Sequence, residues 1–403
     1  MKLLVKNRTD LDRTIDPKYS PETSIVLRYR DAVQFEMTEE KNSQYKEWLE
    51  RTSIGEGTRI FPLLTYKGVE IFVLDETSLM HTKTLKSIDG CITTARCKLN
   101  GYERVVFESG GNTGIALTQY GIRAGLETFM FIPEENLSLL NSRIFESNKA
   151  HLFSVEKPNL VKEAVRFFVT QNGFRHIPER DWRYEASMFR GFFILEYLME
   201  KEKFDWLTQT ISAAFGPIGI YRVLKGFEKE IGQLPRFLGI QQEANSPLFT
   251  AWKKEETDTE PAKMNSTNKL LTKVMYDRHP QTYGTFEEFR NILSATGGDL
   301  TTVNHQEFTR FLEETYDGKN ILDLLKEQGV DITVRGGEVI EKTGLISLAG
   351  TFKEIDRGRM SQGSKVLCSV TSGVSEADGK AKPELRILSS DDLKEALHKI
   401  QVV

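Results

Sequence analysis

The strongest constraint on the fold is a repeated alternation of short β-type runs with helical patterns. Seven runs rich in Val, Ile, Phe and Leu read as strands, at 69–75, 104–108, 127–132, 151–155, 210–215, 236–241 and 365–370. Between most of them, apolar residues recur at helical spacing. After Thr84 they fall at Leu85, Ile88, Ile92, Ala95 and Leu99, and Asn100-Gly101 then stops the helix. Further helices are expected over 161–170, 192–198, 221–231, 286–293 and 392–400. Successive strands linked through helices run parallel, by right-handed crossovers, and the helices cover both sheet faces. The predicted class is therefore α/β with mainly parallel sheets covered by helices. With 403 residues the chain can build one large unit or two interleaved ones.

Composition removes several classes of function. The chain carries 54 Lys and Arg against 58 Asp and Glu, a formal charge of −4, with the basic residues scattered. No electrostatic footprint for nucleic acid is present, and none is expected as a partner. No apolar run approaches the roughly 18 residues of a membrane helix, and MKLLVKNRTD is charged again at Lys6. Neither a membrane anchor nor a signal peptide is expected. Cys91, Cys97 and Cys368 are odd in number and lack CxxC spacing, which argues against a disulfide framework and a structural zinc site. A soluble protein of a reducing compartment, the cytoplasm, is the expectation, with no metal. Residues 253–268 (KKEETDTEPAKMNSTN) read as an exposed loop within the larger body.

Three segments could carry chemistry. The first is Phe107-Glu-Ser-Gly-Gly-Asn-Thr-Gly114, between a strand and a helix. Its glycines admit a ligand close to the backbone, and helix N-terminal N–H groups converge on an anion there. Ser109, Asn112 and Thr113 add polar side chains that a mere turn does not need. The second is Phe215-Gly216-Pro217-Ile218-Gly219-Ile220, which could bind phosphate through backbone N–H groups. Pro217 supplies no N–H, and taken alone this turn reads equally as structural. The third is Asp75 to Lys86, where Lys86 falls on the first turn of an amphipathic helix. A lysine shielded from water there is suited to attack on a carbonyl. Lys83, three residues earlier, is the alternative.

Together these segments resemble the fold-type-II pyridoxal-phosphate enzymes, in the threonine synthase and cysteate synthase branch. Glu76 precedes Lys86 by ten residues, and Met80-His81-Thr82-Lys83-Thr84-Leu85-Lys86 resembles that family's Asn-Pro-Thr-Gly-Ser-Phe-Lys. The resemblance puts the Schiff-base lysine, the catalytic residue, on Lys86 and sets Lys83 aside. Ser109-Gly110-Gly111-Asn112-Thr113-Gly114 is similar to Ser-Ser-Gly-Asn-Thr-Gly. It implies Asn112 on the cofactor's phenolic oxygen and Ser109, Gly110, Gly111 and Thr113 on the substrate carboxylate, with Thr82 and Thr84 also toward substrate. Gly216, Pro217, Ile218, Gly219 and Ile220 are similar to the phosphate loop. Thr371, followed by Ser372, matches the strand-end residue that faces the pyridine nitrogen.

The likeness spans roughly residues 55 to 375, opening at Gly55-Glu56-Gly57-Thr58, with further stretches at 234–243, 280–303 and 329–350. It implies a small mobile domain over 87–198 set on a large cofactor domain made of 1–86 plus 199–403, and a homodimer. The implied activity is a β- or γ-replacement on an O-phosphorylated amino acid. Elimination of the ammonia-lyase type and a non-catalytic scaffold are the alternatives. Thr82, Lys83, His81 and one of Arg175, Arg183 or Arg190 are candidates to meet a second anion, although a helix-surface charge is the plainer reading of each arginine. The sequence departs from the pattern at Ser87-Ile88, where Asp-Arg is usual, at Gly110, at Pro217 and Ile218, and in lacking zinc-ribbon cysteines.

Overall fold

The computed structural model describes residues 2–34, 38–260, 269–316 and 318–388. In Val69–Asp75 every residue but Glu70 is buried, and Trp206–Thr210 is buried throughout. Strands without a polar face need cover on both sides, and parallel sheets with crossover helices provide it. In chain order the main elements are α1 (Glu39–Thr52), β1 (Arg59–Tyr66), β2 (Val69–Asp75), α2 (Lys86–Leu99), β3 (Arg104–Glu108), α3 (Asn112–Arg123), β4 (Glu127–Pro133), β5 (Ala150–Val155), α4 (Val161–Asn172), β6 (Arg175–His176), α5 (Arg180–Glu200), β7 (Trp206–Thr210), α6 (Phe215–Leu224), β8 (Arg236–Gln242), α7 (Phe286–Thr296), β9 (Asp299–Val303), α8 (Thr343–Asp356), β10 (Lys365–Val370) and β11 (Leu385–Ile387).

The larger sheet has six strands in the order β9-β8-β7-β10-β2-β1. All neighbours run parallel except β1, an antiparallel edge strand against β2. The smaller sheet, β11-β5-β4-β3-β6, is parallel throughout. Its edge strand β11 comes from the chain that the sequence reading assigns to the larger unit. One hydrophobic core joins α1, α2, α5 and α6 to one face of the larger sheet, and a second lies between its other face and α8. A phenylalanine-rich cluster under α4, including Phe129, Phe131, Phe153 and Phe168, serves the smaller sheet. Where α5 crosses α6, a methyl group on Gly219 would stand 2.4 Å from Ser187 Cβ and 2.6 Å from the Tyr184 carbonyl oxygen. The missing side chain is what lets these helices touch.

Most expected strands lie within a residue of those found, with one informative exception. The run at 210–215 is not a strand: β7 ends at Thr210, and Ile211 to Ala214 form the turn into α6. Thr208, Gln209 and Thr210 weaken the apolar signal of β7, yet they are buried. Thr208 Oγ1 lies 2.8 Å from Thr351 Oγ1, and Thr210 Oγ1 donates to the Thr343 carbonyl at 2.7 Å, both on α8. The helix expected over 192–198 is part of the longer α5, and that expected at 221 begins at Phe215. Strands β1, β6, β9 and β11 were not among the expected runs, and the helix expected at 392–400 lies outside the described residues. The three cysteines are free and buried. Among the described residues no helix is long and apolar enough to cross a membrane.

Candidate active site

In open parallel sheets, ligand sites form beyond the carboxyl ends of the strands. Here the ends of β2, β7 and β10 in one sheet and of β3 in the other feed the loops around one cavity. The segment after β2 is strapped to the end of β10: Leu85 N–H donates to the Thr371 carbonyl at 3.0 Å, and Thr84 bridges to Ser372. Lys86 is then the first residue of α2, its N–H satisfied by Thr84 Oγ1 at 3.0 Å. Its side chain is 31% exposed, and Nζ is 2.7 Å from Asp89 Oδ2, one turn further along α2. Lys83 has left-handed backbone (φ 59°) and donates to the Ser78 carbonyl at 3.2 Å. It does not line the cavity, whereas Lys86 does.

The cavity measures about 200 Å³ and is lined by Lys86, Ser109, Gly110, Gly111, Asn112, Thr113, Gly216 and Thr371 from the three segments, and by Arg183 and Arg190 from the candidate arginines. Thr82 and Thr84 lie instead beside a smaller void of about 30 Å³, shared with Asn112 and Glu341. Their hydroxyls brace the strap: Thr82 Oγ1 is 2.9 Å from Ser87 Oγ. Ser87, where the family usually has Asp, thus has a local partner.

The turn after β3 is folded by Ser109, whose Oγ accepts the N–H groups of Gly111 at 3.1 Å and Gly114 at 2.7 Å. Gly111 takes φ 154°, a conformation that favours glycine. The N–H groups of Asn112 and Thr113 open α3 without intrahelical acceptors, so an anion fits there. The Asn112 amide donates to Glu341 Oε2 at 3.3 Å. Gly110, where the family has a second serine, faces residues 274–276: an added methyl group would stand 2.6 Å from the Val274 carbonyl oxygen. Asn136 ties the two segments together, donating to the carbonyls of Gly110 at 2.9 Å and Lys273 at 3.0 Å.

The second glycine turn sits differently from expectation. Pro217, Ile218, Gly219 and Ile220 are buried inside α6 and do not line the cavity, because the helix has already begun at Phe215. The residues that face the cavity are Ile211 to Gly216, with Ala214 in left-handed backbone (φ 61°) as the N-cap of α6. Thr371 is 3% exposed, and its Oγ1 has no hydrogen-bond partner among the described residues. Ser372 is also buried, its hydroxyl likewise without a partner among them, but it lies outside the cavity lining.

Charged residues complete the walls. Arg190 is 1% exposed, correcting the helix-surface reading. Its Nε donates to Glu76 Oε1, and its Nη2 donates to Glu76 Oε2 at 2.7 Å and Gln209 Oε1 at 2.8 Å. Burial raises the Glu76 carboxyl above its ordinary value against the opposing pull of this guanidinium. Arg183 lies 5.1 Å from the Phe215 ring centre and 5.3 Å from that of Tyr283, with no carboxylate in ion-pair range among the described residues. Lys162 pairs with Asp277 at 2.8 Å, and both also line an open groove of about 790 Å³ alongside. Burial raises the Glu108 carboxyl, but the hydrogen bond to His176 at 2.7 Å, the charges of His176 and Arg183 and a backbone hydrogen bond together outweigh this and leave it below its ordinary value. Arg175 pairs with Glu179 outside the cavity, and His81 packs beside Tyr120. The sequence reading missed Asp89, Gln209 and the 274–283 segment. Only Asp89 had a local signal, its helical spacing from Lys86.

No protein-family model matches the chain. It is 22% identical over 327 residues to the cysteate synthase of Methanosarcina barkeri (strain Fusaro), spanning 76% of this chain and 72% of that protein. It is 22% identical over 349 residues to the threonine synthase of Halalkalibacterium halodurans, spanning 81% of this chain and 87% of the relative. The solved structure of an O-ureido-L-serine synthase superposes with a TM-score of 0.57 at 14% identity, covering 81% of this chain and 91% of that one. The fold is that of the fold-type-II pyridoxal-phosphate enzymes.

Proposed function

We propose that this chain is a pyridoxal-phosphate enzyme that replaces the leaving group of an O-phosphorylated amino acid, with Lys86 holding the cofactor covalently. The observation that carries the reading is a single cavity joining the Lys86 amine, the Ser109–Thr113 turn, the N-terminus of α6 and the Thr371 hydroxyl, which has no partner among the described residues. These residues fit the group: α6 offers N–H donors to a phosphate, and Thr371 offers a neutral partner to a ring nitrogen. When bound, the cofactor supplies a π-system that delocalises the charge left at the substrate α-carbon. The chain's own part is positional and acid–base. Asn112 and Thr113 N–H groups bind the substrate carboxylate, Lys86 Nζ moves the α-proton, and Asp89 steadies that amine between steps. Arg183 meets the departing phosphate, being a cavity cation with no carboxylate in ion-pair range among the described residues.

The curated relatives support this reading, since both synthases align in sequence with the chain over most of their length. A homodimer, a cytoplasmic setting and a mobile unit over 87–198 belong to the same proposal. The test compares O-phosphoserine with O-phosphohomoserine, each with and without sulfite. Phosphate release from one of them, dependent on the added nucleophile or on water addition, is expected. Borohydride should fix the cofactor on Lys86, and Lys86→Ala should be colourless with turnover reduced about a thousandfold or more. Release of 2-oxo acid without a nucleophile would establish elimination instead. A wild type that takes up no cofactor would leave only the scaffold reading.

A further inference from the structure

The first turn of α6 is short of donors for the group it faces. A helix start offers the N–H groups of its first three residues to an anion, but here the third is Pro217, which has none. The next N–H, of Ile218, is spent on the Ala214 carbonyl at 3.3 Å. Within the helix, Phe215 and Gly216 remain, next to the N-cap residue Ala214. Beside them lies a side chain with capacity to spare. Glu76 and Gln209 occupy Nε and Nη2 of Arg190, while Nη1 has no hydrogen-bond partner among the described residues, in a side chain that is 1% exposed. A methyl group on Gly216 would stand 2.8 Å from this Nη1, and Arg190, Gln209 and Gly216 all line the cavity. Ser212 lines it as well.

We propose that Arg190 Nη1, with the Phe215 and Gly216 N–H groups, forms a binding site for a phosphate monoester. Resting on the function proposed above, that monoester is the cofactor's own phosphate. The guanidinium takes the place of the donor that Pro217 lacks. Its plane is fixed by the Glu76 carboxylate, so the free corner is directed rather than mobile. A side chain at Gly216 would collide with Nη1 and with Gln209 Nε2, so glycine is what allows the guanidinium to lie against this turn.

The test uses the full-length chain stripped of cofactor, with three probes: pyridoxal 5′-phosphate, pyridoxal, which lacks the phosphate, and inorganic phosphate. Absorbance titration follows the aldehydes and calorimetry follows phosphate. Glu76→Leu/Arg190→Met replaces the buried pair by apolar residues of similar size, and Arg190→Lys keeps a charge for Glu76 without the fork. In both variants the preference for pyridoxal 5′-phosphate over pyridoxal should fall about tenfold or more, with pyridoxal affinity unchanged. Inorganic phosphate affinity should fall in parallel. An unchanged preference in the folded variants overturns the proposal and leaves the cofactor reading standing. Phosphate binding that depends on Arg190 in a chain that takes up neither aldehyde supports the anion site while the cofactor reading falls. A wild type that binds none of the three probes overturns both.

Discussion

At Gly110 an added methyl group would stand 2.6 Å from the Val274 carbonyl oxygen and 2.7 Å from the Tyr276 ring. Neither neighbour is the loose end of a flexible chain, so the backbone at 274–276 would have to withdraw. Gly110→Ala should therefore raise KM for the amino-acid substrate about tenfold while the cofactor spectrum is retained, measured by steady-state kinetics beside a visible titration. An unchanged KM would show that 274–276 gives way freely. Residues whose place in the cavity wall depends on local spacing were legible in the sequence: Lys86 on its helix start, Ser109 and Asn112 around glycines. Arg190 was named only as one of three candidate arginines, with a surface charge as the plainer reading. It lies 114 residues from Glu76, and only the tertiary fold turns a helix arginine inward to meet it.

The crossing of α5 over α6 shows the same division for whole elements. Periodicity found α6 but started it six residues late, because Gly216, Pro217 and Gly219 look like a loop in one dimension. In the fold Pro217 occupies the first helical turn, which tolerates it, and Gly219 is the contact point against Ser187. Gly219→Ala should lower stability by about 1–3 kcal/mol through overpacking and leave cofactor affinity unchanged, read by thermal melts and absorbance titration. A loss of cofactor affinity with no loss of stability would restore Gly219 to the phosphate cradle. Strands β2, β3 and β10 were readable because burial on both faces leaves each an apolar central run: Ile71 to Leu74, Val105 to Phe107 and Val366 to Cys368. Strand β7 was displaced because its threonines are satisfied by α8, a partner that the local pattern does not reveal.

Across the whole molecule, acid stability follows from groups held below their ordinary values. In Glu108, Glu354 and Asp299 burial raises the carboxyl. Partners outweigh it: His176 for Glu108, Thr301 and Arg359 for Glu354, and Lys253, the Leu300 N–H and Trp252 for Asp299. Their folded values therefore lie below 4.5 for the glutamates and below 3.8 for the aspartate, and the stability they confer is present above those values and lost as pH falls through the folded ones. Burial lowers His81 and His279 from 6.5, so charging them opposes the fold in a shallower decline that begins first. Calorimetry should show Tm easing below about pH 6.5 and falling steeply below about 4.5. A Tm that climbs on acidification across this range would contradict the assignment. The pairing of β11 with β5 bears on synthesis. Leu385 meets Phe153 across roughly 230 residues, so a nascent chain must emerge from the ribosome as far as Ile387 before that ladder can close. Until then β5 presents a bare strand edge, the kind of surface on which unfinished polypeptides cross-pair, and its protection falls to whatever chaperone attends translation.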